Sequence, residues 1–104
     1  MADFNTDRDE AVVTEEKTRL QKPPLFKVLL HNDDYTTMDF VVLVLRTIFQ
    51  MSPNDAFRIM MNVHNQGVGV AGVYTYEIAE AKVARVLALA KEYEFPLLAS
   101  LEPD

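Results

Sequence analysis

Asn32-Asp33-Asp34 sets an amide and two carboxylates in a row, directly after His31. These groups are hydrogen-bond acceptors that could converge on one cationic group, for which a protonated amine is well suited. The same run also reads as an Asx-rich turn whose side chains bond their own backbone. Local sequence leaves both readings open. Other chemistry has little to work with. The only serines are Ser52, placed as a helix cap, and Ser100, near the end of the chain, and there is no cysteine, so a Ser-His or Cys-His nucleophile has no footing. Asp33 and Asp34 are sequence neighbours and cannot flank a substrate from opposite sides. A metal-dependent enzyme would need the fold itself to gather His31, Asp33, Asp34 and His64, because no two-histidine spacing such as H-x-x-x-H is present. The chain is therefore expected to be no enzyme, with no catalytic residues, metal or cofactor.

Methionines at 38, 60 and 61 read as core filler or as the lining of an adaptable apolar pocket. His64 reads likewise as a structural core histidine or as a ligand. An Asn/Asp cluster beside a methionine-lined pocket would recognise an object with a charged amine at one end and a bulky apolar group at the other. The N-terminus of a peptide is such an object.

Length and charge narrow the setting. A chain of 104 residues, 49% of them hydrophobic, is the size of one domain with one core. Sixteen acidic against ten basic side chains give a net charge of -6, which works against nucleic acid and favours cationic partners. No apolar run approaches the roughly 20 residues of a membrane helix, and the start Met1-Ala2-Asp3 is unlike a signal peptide, so no membrane association and a cytoplasmic location are expected.

The elements that must position these residues follow from the chain in order. Residues 1–22 hold six acidic and four basic groups with only scattered apolar ones, which predicts a mobile, disordered N-terminal tail ahead of a core domain over 23–104. Pro23-Pro24 closes the tail, and Leu25 to Leu30 is an apolar run of strand length. From Met38 to Phe49 the apolar stretch is long for a strand, and Thr36 with Asp39 resembles a capping box, so a buried helix is predicted. Ser52-Pro53-Asn54-Asp55 opens a second helix with Ser at the N-cap, Pro at the first position and acid in the first turn. Its apolar face is read as Ala56, Phe57, Met60, Met61, Val63 and His64, with Gly67 as the stop.

Gly67 to Gly72 matches G-x-G-x-x-G, but it follows a helix and runs into Val73-Tyr74-Thr75, the reverse of a dinucleotide-binding context. A turn and a bend entering a second strand are expected. Thr75 can cap a third helix with the stripe Ala79, Val83, Val86, Leu87, Ala90 and Tyr93; Pro96 ends it, and Leu97 to Leu101 closes as a strand.

At these residues the chain resembles the ClpS family, adaptors that hand bacterial N-degron substrates to a AAA+ unfoldase paired with a peptidase. The resemblance runs from Lys22 to Glu102 and rests on Lys22-Pro23-Pro24, Asn32-Asp33-Asp34-Tyr35-Thr36 with Met38 and Phe40-Val41, Val63-His64, Gly67, Gly72-Val73-Tyr74-Thr75, Glu77, Ala79-Glu80, Lys82-Val83 and Pro96-Leu97. It implies an α+β domain of order β-α-α-β-α-β, with a three-stranded antiparallel sheet packed against three helices. It implies that Asn32, Asp33, Asp34 and His64 bind the peptide α-amino group. Thr36, Met38, Val41, Met60, Val63 and Leu97 would line a pocket for the first side chain, usually Phe, Tyr, Trp or Leu, with Met38 rejecting β-branched ones. Glu77 and Lys82 would dock a monomeric adaptor on the N-terminal domain of a ClpA-type unfoldase, which the tail would also engage. A modulator that docks without reading N-termini is the alternative. Thr37 stands where Pro is common in the family, which predicts a looser loop before Met38, and His31 stands where an aliphatic residue is usual.

Overall fold

In the computed structural model the described residues are 22–104; the tail expected over 1–22 lies, apart from Lys22, outside them. Strand β1 (Leu25–His31) is followed by helices α1 (Met38–Thr47) and α2 (Pro53–Gln66), strand β2 (Val68–Thr75), helix α3 (Tyr76–Glu92) and strand β3 (Leu98–Pro103). The β-α-α-β-α-β order is as expected. The strands form one antiparallel sheet in the order β2-β1-β3, so the first apolar run becomes the central strand.

Alternation along β1 explains how the sheet meets the helices. Val28 and Leu30 are fully buried and join the core with Val44, Leu45, Ala56, Val63, Ala79 and Val86. Lys27, Leu29 and His31, pointing the other way, stay half-buried. There His31 Nε2 and Ser100 Oγ share a hydrogen bond of 2.7 Å, and Lys27 pairs with Glu102 at 3.7 Å. The register of β1 with β2 shifts between Val28 and Leu29, which face Gly72 and Val70, so Ala71 is the extra residue of a bulge.

Each helix begins close to where the sequence places it, with instructive differences. Thr37, not Thr36, caps α1: its side chain accepts from the Phe40 amide at 3.1 Å, with Asp39 in the first turn. The helix ends at Thr47 rather than Phe49, and Gln50, at φ 56, turns the chain toward α2. Ser52 caps α2 through Asp55 N at 3.2 Å, Pro53 is the first helical residue, and Gly67 closes it in the left-handed region at φ 89.

The buried stripe of α2 is Ala56, Ile59, Met60 and Val63; Phe57 is 58% exposed and His64 is exposed. The expected face, which took in Phe57 and His64 and left out Ile59, is therefore rotated about the helix axis by less than one residue's step of about 100°. On α3 the stripe Ala79, Val83, Val86 and Ala90 packs inward while Leu87 faces outward; Tyr93, just past the helix end, is half-exposed with its ring 5.2 Å from that of buried Phe40. Thr75 occupies the N-cap position of α3 without a side-chain cap bond. The six-residue glycine pattern joins α2 to β2, a helix followed by a strand. Gly69 lets the two pack closely, since a Cβ there would stand 2.7 Å from Val63 Cγ2.

Candidate functional site

The turn Asn32–Thr37 links the central strand to α1 and faces the last turn of α2. The Asn32 amide donates to the Gly67 carbonyl at 2.9 Å, which ties the start of the turn to the end of α2. That bond places Asn32 beside His64. Between them a cavity of about 120 Å³ is lined by Asn32, Thr36, Met38, Val41, Met60, Val63 and His64. Five of the six residues expected to form a side-chain pocket are among these. Leu97, the sixth, is 2% exposed and belongs to the core, outside the lining.

The cavity is far below the roughly 300–1,000 Å³ of sites for drug-sized molecules, and fits a single side chain. Its walls are Met, Val and Thr methyl surface, and Asn32 and His64 bring the polar atoms to it. A larger depression of about 450 Å³ between α1 and α3 shares no residue with it. That depression holds Arg85 and Glu92 as its charged groups, with no cluster of acceptors for a cation.

The two aspartates do different things. Asp33 is the staple of the turn: Oδ1 accepts from the amides of Tyr35 and Thr36 at 2.8 and 2.7 Å, and Oδ2 accepts from Thr36 Oγ1 at 2.6 Å. Partial burial works against its charge, but the bonds from the Thr36 hydroxyl and amide and the Tyr35 amide outweigh it and hold its carboxyl below the usual carboxylate range. Asp34 is exposed and takes no side-chain hydrogen bond among the described residues. The Asx-turn reading is thus right for Asp33, while Asp34, in the same turn, is exposed and outside the cavity lining.

His31 is turned to the other side of the sheet, where Ser100 engages it. Among the described residues no three His, Cys, Asp or Glu side chains come together as a metal site, and the His31, Asp33, Asp34 and His64 set is not assembled. No helix among the described residues is long and apolar enough to cross a membrane.

Glu77 and Lys82 lie on the first half of α3 but differ in environment. Glu77 is exposed in the first turn. Lys82 is half-buried: its ammonium donates to the Ile48 carbonyl at 2.7 Å and lies over the rings of Phe49 and Tyr74, 5.8 and 5.5 Å from their centroids. Sequence reasoning missed this, because Ile48 is 34 residues away. It also missed Thr37, whose hydroxyl competes with that of Thr36 for the role of cap.

Residues 21–100 match the family described as ATP-dependent Clp protease adaptor protein ClpS. The chain belongs to the ClpS family. The ClpS adapter of Myxococcus xanthus is 55% identical over 100 residues, covering 94% of each chain. That of Desulfatibacillum aliphaticivorans is 57% identical over 93 residues, covering 89% of each. Among solved structures, Agrobacterium tumefaciens ClpS2 bound to L-phenylalaninamide is similar with a TM-score of 0.76 at 44% identity, over 79% of this chain and 99% of that one. The segment matching the ClpS family takes in the whole turn, the cavity and α3.

Proposed function

We propose that this chain is a non-catalytic adaptor that binds proteins with Phe, Tyr, Trp or Leu at a free N-terminus and delivers them to a ClpA-type unfoldase in the cytoplasm. The observation that carries the reading is the side-chain-sized apolar cavity with Asn32 and His64 at its wall. L-phenylalaninamide, bound by the A. tumefaciens relative, has the matching parts: a free α-amine, a benzyl group, and a carboxamide where a peptide would continue.

Asn32, His64 and the exposed carboxylate of Asp34 accept hydrogen bonds from the ammonium, while Asp33 adds negative charge and holds the turn in shape. Charge-assisted bonds of this kind are about twice as strong as neutral ones. The first side chain fills the cavity against Met38, Val41, Met60 and Val63, adding about 1.5–3 kcal/mol for Phe or Leu. Glu77, exposed on α3, and Lys82, whose ammonium also anchors the end of α1, are the docking residues for the unfoldase.

Fluorescence anisotropy with labelled peptides that differ only in the first residue tests the reading. Tight binding is expected for free Phe, Tyr, Trp and Leu, and near-complete loss on N-acetylation of the Phe peptide, because both the charge and two of the amine's donors vanish. Equal binding of the acetylated peptide would sink the amine site. If no peptide binds, N-terminal recognition is excluded, and direct docking on the unfoldase becomes the activity to measure.

A further inference from the structure

We infer that Thr37 is a positioning residue that sets which first side chains the cavity accepts, by fixing where Met38 stands. The inference rests on the reading that this cavity takes the first side chain of a peptide. Met38 is the first residue of α1, lines the cavity and is 42% exposed. Its side chain has three rotatable bonds, so its own packing does not hold it in one place; the backbone that bears it must.

That backbone lies where a helix is weakest, in a first turn whose amides lack intrahelical acceptors. Thr37 supplies them. Its Oγ1 accepts from the Phe40 amide at 3.1 Å, and its carbonyl accepts from Val41, a second lining residue, at 3.2 Å. On the other side of Met38, Asp33 clamps Tyr35 and Thr36. Met38 is thus held between two side-chain-to-backbone anchors. The Thr37 hydroxyl makes a bond to the first turn that a proline ring carbon could not.

Loss of the Thr37 oxygen frees the first turn of α1, and with it the wall formed by Met38 and Val41. Widening there favours first residues branched at Cβ, whose bulk lies closest to the peptide backbone and so to the mouth. Peptides beginning with Phe and with Val therefore read the effect as a ratio of affinities, measured by competition on the full chain.

Thr37→Ala should lower the preference for Phe over Val by about fivefold, the size of a lost cap. Thr37→Ser, which keeps the oxygen, should retain the preference. Ser52→Ala removes the equivalent cap of α2, at the end of that helix remote from Met60, Val63 and His64. It should lower the melting temperature by a similar amount and leave the ratio unchanged. If Thr37→Ala is too unstable to titrate, Thr37→Gly deletes the same oxygen in a form an N-cap tolerates, and a drop in the same direction of about twofold is expected. An unchanged ratio in the oxygen-less variant, or an equal change in Ser52→Ala, overturns the positioning role while leaving N-terminal recognition standing. Failure of the unaltered protein to bind the Phe peptide overturns both.

Discussion

The turn before α1 carries the pair Asp33 and Asp34, the first half of α3 carries Glu77 and Lys82, and in each pair one of the two charges is spent inside the fold. Asp33 gives both oxygens to the amides and hydroxyl of its own turn, whereas Asp34 faces solvent. Lys82 gives its ammonium to the Ile48 carbonyl and two aromatic rings, whereas Glu77 faces solvent. A charge near a site can be committed to the scaffold, and its hydrogen-bond partners show where it is. Substitution at the spent member should cost stability first; substitution at the exposed member should cost binding alone.

The largest effect is expected at Lys82. Lys82→Glu leaves the Ile48 carbonyl at the end of α1 unsatisfied and sets a carboxylate against it, at a cost of about 2–3 kcal/mol in denaturant unfolding. Glu77→Ala should change stability by no more than about 0.5 kcal/mol while weakening capture by the unfoldase. If Lys82→Glu unfolds at the same denaturant concentration as the unaltered protein, the division between the two residues fails.

Asp33→Ala comes next. It should lose about 1–2 kcal/mol of stability and weaken peptide binding roughly tenfold, because the turn that shapes the cavity loses its staple. Asp34→Ala should weaken binding with no stability loss, and Tyr35→Phe should do neither, its ring being exposed. Equal stability losses at Asp33 and Asp34 would erase the contrast.

The smallest effect is in pH. The folded carboxyl of Asp33 lies below its ordinary value, so its contribution to stability is fully present above the unfolded value of about 3.9 and is lost as pH falls through the folded one. The stability gap between the unaltered protein and Asp33→Asn should hold level from neutral pH to about pH 5, then close below about pH 4. A gap that grows on acidification would reverse the assignment.

How much of this was legible in the sequence depends on the distance over which each choice is made. Ser52-Pro53 and Gly67 mark the ends of α2 correctly because capping is decided within three or four residues. The choice between Thr36 and Thr37 as the cap of α1 was not legible, since both are competent and the outcome turns on Asp33 claiming Thr36 first. The side of α2 that bears Phe57 and His64 was misplaced because a periodic pattern fixes a stripe only to within a residue. All seven residues lining the cavity are ones the family resemblance names, five of them for the side-chain pocket; Leu97, also named for the pocket, lies in the core instead.

The bond from the Asn32 amide to the Gly67 carbonyl has a kinetic consequence. It ties the turn that bears Asn32 to the end of the helix that bears His64, so the two polar walls of the cavity are joined to each other. On the proposed function, peptides with different first residues should associate at closely similar rates and differ in how long they stay. Residence time at that cavity is the quantity by which one N-terminus would be distinguished from another during hand-over.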